Sequence, residues 1–425
     1  MSFIEEMRWR NMLHQMTEGA DEYLNTGVRT GYIGFDPTAP ALHLGNYVQI
    51  MILTHFQNAG HRPIVLMGGA TGRVGDPSGK DKERELKTAE ELDNNLFHQK
   101  EQMMRLLEFG DQGNQARLVN NFDFYKNMNV LDFLRDVGKT LTINYMMSKD
   151  SVKNRIDAGL SFTEFSYQLL QAFDFQCLFQ QYGCTVQMGG SDQWGNITSG
   201  TEFIRRNLSE KAHAITTPLL TKADGKKFGK SEEGNIWLDP NLTSPYRFYQ
   251  FWLNSDDKDL PKLLRYFSLK TKEEVEAIEA EHASNPAAQK RILAEEITVR
   301  IHSAHAFRAV LNVSELLFNN KAGKETLFEL NEKDLETVAG EIPSFELKKS
   351  ALSNGVGIVE LMSEVTNMLP SKAEAKRAVQ GQAVSINKEK ITSVDAVVNH
   401  ESLLHGKYIL LENGKKNKVI LVAKD

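Results

Sequence analysis

The sequence predicts an α/β protein: a Rossmann-like, doubly wound parallel sheet followed by an α-helical domain and a small α+β module. Three observations carry this reading. First, short apolar runs end in glycine and give way to helix-like patterns at "VRTGYIGFDPTA" before "LHLGNYVQIMILTHF", at "HRPIVLMGGATG", and at "CTVQMGGSDQWGN" before "TSGTEFIRRNL". Strand, glycine turn and helix repeated in this way build a parallel sheet whose ligands collect at the carboxyl ends of the strands. Second, after "SPYRFYQFWLN" the spacing turns helical and charged, as in "TKEEVEAIEAEHASN" and "QKRILAEEITVRIHSAHAFRAVL". Third, residues 271–350 carry ten basic and fifteen acidic side chains, whereas 351–425 carry ten and eight, so the end of the chain reads as a module of its own.

The expected domain limits follow. Residues 1–220 form the sheet domain, with a helix-rich insert at about 122–180 that is apolar enough to pack against a second copy. Residues 221–320 form the helical domain. The acidic, weakly patterned stretch 321–352, broken by Gly340 and Pro343, reads as a linker, and 353–425 as the C-terminal module.

Composition sets the class. A chain of 425 residues, 41% hydrophobic, has enough apolar mass for a core in each of about three domains. No run approaches the roughly 20 apolar residues that span a bilayer. The start, "MSFIEEMRWRNMLHQM", has charges where a signal peptide needs an apolar stretch, so a soluble cytoplasmic protein with no membrane partner is expected. The only cysteines, Cys177 and Cys184, lie in an apolar stretch; they read as buried thiols in a reducing compartment. No Cys/His cluster has ligand spacing, and no protein-held metal is expected. The net charge of −6 argues against a protein that coats nucleic acid.

Five stretches are candidates for chemistry. In "GFDPTAPALHLGN", residues 34–46, a strand ends at Asp36, Pro37 and Pro40 forbid its continuation, and His43 to Asn46 open a helix. An imidazole beside unpaired amides suits a phosphoryl oxygen, and Gly45 clears the space a flat ring would need. A satisfied core histidine has the same signature. In "GGATGRVGDPSGKDKER", residues 68–84, no register gives G-x-G-x-x-G. What remains is a glycine-rich loop that brings Asp76 to a strand end and sends Lys80, Lys82 and Arg84 outward, as a polyphosphate clamp or a solvated charge run.

In "SFTEFSYQLLQAFDF", Ser161 and Glu164 have capping-box spacing, and Tyr167, Gln171 and Asp174 share one helical face. Phe165, Leu169, Leu170 and Phe173 lie on the other side. The polar stripe is either a recognition surface for a small polar ligand or a solvated face. In "QMGGSDQWGN", Gly189 and Gly190 allow close backbone approach, and Asp192 and Gln193 follow at a helix start, where a carboxylate suits a ribose diol. Finally, "GKKFGKS", residues 225–231, has three residues between its glycines where a P-loop needs four, so it is not a P-loop; Gly225 reads as a turn and Lys227 to Ser231 as an arm over phosphates.

Taken in this order, these stretches resemble the bacterial tyrosyl-tRNA synthetases, a family of class I aminoacyl-tRNA synthetases, over essentially the whole chain. The two family signatures, H-[IL]-G-H and K-[MF]-[SG]-K-[ST], read here as His43-Leu-Gly-Asn46 and Lys227-Phe-Gly-Lys-Ser231. Asn46 departs from the second histidine: it keeps a hydrogen-bond donor but not a cation. The resemblance implies activation of L-tyrosine by ATP, with magnesium accompanying the nucleotide, and transfer to the terminal adenosine of tRNA(Tyr) by a homodimer. It implies that Tyr32 and Asp174 bind the phenolic hydroxyl, Asp76, Tyr167 and Gln171 the ammonium, and that Gln193 lies along the carboxylate. It implies Gly34, Asp36, Asn46, Gly190 and Asp192 around ATP, with Asp192 on the ribose. Thr38, His43, Lys80, Arg84, Lys227, Lys230 and Ser231 would grip the phosphates.

The segment "SKAEAKRAVQGQAVSINKEKI" looks like the small RNA-binding domain first described in ribosomal protein S-four, with Lys372, Lys376 and Arg377 facing phosphate. Arg205 and Arg206 are candidates for the acceptor stem. Two other readings stay open at this point: a nucleotidylyltransferase that shares the first signature but acts without tRNA, and a non-catalytic RNA-binding relative. The tryptophan enzyme is the nearest confusion within the synthetases.

Overall fold

The computed structural model describes residues 1–78, 87–156, 159–225, 228–231, 234–319, 323–414 and 417–425. The side chains of Asn154, Lys230 and Ser231 lie outside that description. The chain divides into two compact units, residues 1–243 with 251–297, and 244–250 with 298–425. The helices expected as one domain over 221–320 are therefore shared between the units.

The first unit is built on strands β1 (Gln15–Met16), β2 (Thr30–Phe35), β3 (Arg62–Met67), β4 (Arg117–Asn120), β5 (Cys184–Gly190) and β6 (His213–Thr217). Their order is β1-β6-β5-β2-β3-β4, and all neighbours run parallel except β1 against β6. The three strands expected from the glycine-ended runs are β2, β3 and β5. Strand order reverses between β2 and β5, which opens a crevice beyond their carboxyl ends. β4 was not expected, because four residues, "RLVN", are too few to show a period.

Helices cover the sheet: α1 (Phe3–Trp9), α2 (Leu44–Asn58), α3 (Phe162–Tyr182), α4 (Trp194–Leu208) and, further along, α5 (Leu260–Phe267). Tyr32, Ile64, Leu66 and Val119 of the strands pack with Phe175 and Leu178 of α3 and Ile204 of α4. The apolar side of α3, with Phe165, Leu169 and Phe173, packs with Val137, Leu141 and Met146 of the insert and Phe203 of α4. That leaves Tyr167, Gln171 and Asp174 to face the crevice. Ser161 caps α3 as the spacing predicts, accepting from the Glu164 amide at 3.2 Å, but the Glu164 side chain does not complete a capping box. The Glu164 carboxylate makes a buried pair with Arg155, Nη2 to Oε2 at 2.8 Å. A short hairpin of β7 (Lys230–Ser231) and β8 (Gly234–Asn235) follows the sheet.

The second unit includes a five-stranded sheet of β9 (Ser344–Lys348), β11 (Val384–Ile386), β12 (Glu389–Lys390), β14 (Tyr408–Asn413) and β15 (Asn417–Lys424), in the order β12-β11-β14-β15-β9; β10 (Val356–Gly357) pairs with β13 (Val397–Val398) separately. Residues expected as a linker, 321–352, are largely regular in their described part: helices α6 (Lys324–Phe328) and α7 (Glu332–Glu341) precede β9, which pairs in parallel with β15. The acidic composition misled because it belongs to the outer faces, while Leu335, Val338 and Leu347 are buried. The expected basic helix is α8 (Lys372–Gln380), which buries Ala375 and Val379 and exposes Lys372, Lys376 and Arg377.

Candidate active site

A cleft of about 450 Å³ lies at the strand-order reversal. All thirteen candidates among 32–193 whose side chains and backbone are described line it: Tyr32, Gly34, Asp36, Thr38, His43, Asn46, Asp76, Tyr167, Gln171, Asp174, Gly190, Asp192 and Gln193. Lys80, Arg84 and Lys227 lie outside the described residues, as do the side chains of Lys230 and Ser231.

His43 is the N-cap of α2. Its Nδ1 accepts from the amides of Gly45 at 3.0 Å and Asn46 at 3.4 Å, and the His43 amide in turn donates to Oδ1 of Asn46 at 3.1 Å. This reciprocal cap satisfies amides that a helix start leaves open. With Nδ1 accepting, a neutral ring carries its proton on Nε2. The reason for Gly45 differs from the one expected: a Cβ there would lie 2.8 Å from Cε1 of His43 itself. The glycine makes room for the protein's own imidazole.

Two carboxylates organise the middle of the cleft. Asp36 accepts the Thr71 hydroxyl at 2.7 Å and the Tyr167 hydroxyl at 2.8 Å. Asp76 accepts Nε2 of Gln193 at 2.7 Å, the Ser78 amide at 2.9 Å and Nδ2 of Asn196 at 3.3 Å. Tyr167, expected to share a ligand group with Asp76, hydrogen-bonds to Asp36 and lies close enough to Asp76 to feel its charge. Of the two cleft glycines, a Cβ on Gly34 would meet nothing within 4 Å, whereas one on Gly190 would press on Oδ1 of Asp192 at 2.5 Å.

The deep end is formed by Tyr32, 1% exposed, and Asp174, also 1% exposed. Asp174 accepts Nδ2 of Asn121 at 2.9 Å and the Tyr125 hydroxyl at 2.7 Å. Burial nevertheless pushes its carboxyl up to about 7, against the lowering pull of those two bonds. The Tyr32 hydroxyl has no partner among the described residues, and its pKa is held well above the ordinary range, first by burial and then by nearby Asp174. Oε1 of Gln171 and of Gln187 are buried without partners as well. Such unpaired groups cost free energy unless a ligand meets them.

Sequence reasoning missed Thr71, Asn121, Tyr125 and Gln187. A signal existed for Gln187, a lone amide inside the apolar run "CTVQMGG"; it sits beside Tyr32 in the ladder. Arg205 and Arg206 lie away from the cleft, and both pair with Glu202, at 2.7 and 2.6 Å. Lys372 pairs with Glu364 at 2.9 Å.

A doubly wound sheet with a cleft at its switch point, a capped histidine on the adjoining helix and a buried polar end is the arrangement in which open α/β proteins bind ligands. Residues 25–319 match the family of class I tRNA synthetases for tryptophan and tyrosine, and 334–421 match the C-terminal domain of a group of tyrosine–tRNA ligases. The chain is 52% identical to the tyrosine–tRNA ligase of Cytophaga hutchinsonii, covering 99% of both chains, and 50% identical to that of Bacteroides thetaiotaomicron, covering 100% of both. A C-terminally truncated mitochondrial tyrosyl-tRNA synthetase of Aspergillus nidulans superposes with a TM-score of 0.67 at 31% identity, covering 75% of this chain and 94% of that one. The chain belongs to the class I tRNA synthetases of the tryptophan and tyrosine family.

Proposed function

We propose that the chain is a tyrosine–tRNA ligase that works in two steps. The carboxylate of L-tyrosine attacks the α-phosphorus of ATP, pyrophosphate leaves, and the tyrosyl group then passes from the adenylate to a ribose hydroxyl of the terminal adenosine of tRNA(Tyr). The observation that carries this reading is the Tyr32 hydroxyl, without a partner among the described residues, near Asp174 at the buried polar end of the cleft. A phenolic hydroxyl there gains hydrogen bonds; phenylalanine leaves the Tyr32 hydroxyl buried and unpaired, and is rejected for that reason. Asp76 and Gln171 would take the substrate ammonium, Tyr167 acting with them from its bond to Asp36, and Gln193 would lie along the carboxylate. Gly34 and Gly190 would admit adenosine, with Asp36 and Asn46 beside it and Asp192 on the ribose.

No side-chain nucleophile is required. Catalysis rests on positioning and on groups that meet charge developing on pyrophosphate: the cations of Lys80, Arg84, Lys227 and Lys230, and hydrogen bonds from His43, Thr38 and Ser231. Magnesium enters as part of the substrate MgATP. The C-terminal unit would bind tRNA through Lys372, Lys376 and Arg377.

We further infer a homodimer formed through the insert, where Leu131 is 72% and Phe162 76% exposed, and Val130, Leu134 and Ile143 are exposed with them. The free buried thiols of Cys177 and Cys184 suit the reducing cytoplasm. ATP–pyrophosphate exchange with each of the twenty amino acids tests the assignment. Exchange with tyrosine alone is expected; exchange with none, or with tryptophan in preference, would overturn it.

A further inference from the structure

Phe228 stands inside the second signature, yet it points away from the cleft and is only 8% exposed. Its ring stacks on Phe267 of α5 at 5.4 Å and meets Phe251 at 5.5 Å and Trp252 at 5.7 Å. Phe267 in turn stacks on Tyr47 of α2 at 5.7 Å, with the ring planes 11° apart. Tyr47 lies one turn after His43, whose carbonyl accepts its amide at 3.0 Å. A continuous aromatic stack therefore joins the second signature to the helix that carries the first.

The main chain makes a second, independent connection. Gly229 has φ of 83°, a conformation natural to glycine, and a Cβ on it would lie 3.0 Å from Cβ of Leu44 and 3.3 Å from the Gly45 amide nitrogen. Its carbonyl accepts the Ile236 amide at 2.9 Å, and the Ile236 carbonyl accepts the Leu44 amide at 3.0 Å. Behind the stack, the buried guanidinium of Arg10 donates to the carbonyls of Arg265, Ser268 and Lys270 at 2.6 to 2.9 Å, which holds the end of α5 where Phe267 sits.

We propose that Phe228 is the positioning residue of the adenylation reaction: seated in the aromatic stack, it holds Gly229 against the start of α2, and thereby sets the backbone of Lys230 relative to His43. This rests on the adenylate-forming reading above. Phe228 touches no substrate; it acts through Gly229. Because phosphoryl-type chemistry of this kind depends on placement, an error near 1 Å at Lys230 costs the reaction about 10²-fold in rate. The tyrosine pocket, at the other end of the cleft, is untouched by such an error.

The test is a single-turnover measurement of adenylate formation, normalised to the fraction of tyrosine-binding sites, in Phe228→Ala, Phe228→Met and Gly229→Ala. Phe228→Ala should lose about 10²-fold in rate while the Kd for tyrosine stays within about twofold. Phe228→Met, which refills the apolar seat, should recover most of the loss, and Gly229→Ala should lose rate in the same way with the aromatic stack intact. A rate for Phe228→Ala within about threefold of the parent, a parallel loss of tyrosine affinity, or a Met variant no better than Ala would overturn the proposal. If Phe228→Ala fails to fold, the Gly229→Ala and Phe228→Met pair decides alone. Wild-type exchange with tyrosine, run alongside, reads the parent assignment separately.

Discussion

The Tyr125 hydroxyl donates to Oδ1 of Asp174 at 2.7 Å across 49 residues of sequence, and Asn121 donates to the other oxygen at 2.9 Å. Both bonds favour the carboxylate, yet burial prevails and the group titrates near 7 instead of at its ordinary 3.8. The unfolded chain thus loses this proton at lower pH than the folded one. Stability contributed by Asp174 is full below about 4 and is lost as pH rises to about 7. Urea midpoints taken from pH 4.5 to 8 should show that decline in the ligand-free protein and a smaller one in Asp174→Asn. Tyr125→Phe removes a bond that favours the charged form, so its decline should extend to higher pH. Identical profiles for all three would contradict the assignment.

Gly68 opens the glycine-rich loop, and a Cβ on it would overlap the Asp36 carboxylate and come within 2.6 Å of the Thr71 hydroxyl. Gly68→Ala must therefore displace Asp36, which anchors Tyr167. The KM for tyrosine or ATP in pyrophosphate exchange should rise about tenfold or more. Unchanged constants would mean that Asp36 has no part in the site.

Asn46 closes the cap on α2. Asn46→His keeps an acceptor there and should retain exchange activity. Asn46→Ala loses the reciprocal half of the cap, one hydrogen bond worth about 1 kcal/mol, and should slow exchange through a poorly held His43. Thermal midpoints and exchange rates of both variants check this; equal activity in the two would show that the cap is dispensable.

Arg155 and Glu164 form an ion pair with side chains 3% and 2% exposed. Glu164→Gln leaves a buried guanidinium without its countercharge and should cost about 3–5 kcal/mol in denaturant unfolding. The double variant Arg155→Met with Glu164→Leu should cost less, because no uncompensated charge remains. A double variant as damaged as the single would place the loss in packing.

The sequence by itself determined the strand–turn–helix units at β2, β3 and β5, the helix start at His43, the polar stripe of α3 and the basic helix α8. These are local: glycine and proline rule out alternatives within a few residues, and spacing assigns side chains to one face of a helix. Tertiary structure alone decided the rest. Thr71, Asn121 and Tyr125 are ordinary polar residues until folding carries them to Asp36 and Asp174, 35 to 53 residues away. The linker reading of 321–352 failed for a related reason: β9 gains its hydrogen bonds from β15, some 76 residues later, and five residues with acidic neighbours show no sign of that partner. The purpose of Gly45 and the burial of Phe228 belong to the same class. A side chain's chemistry is written in its own residue, but its protonation, its partners and the space around it depend on which distant segments the fold brings against it.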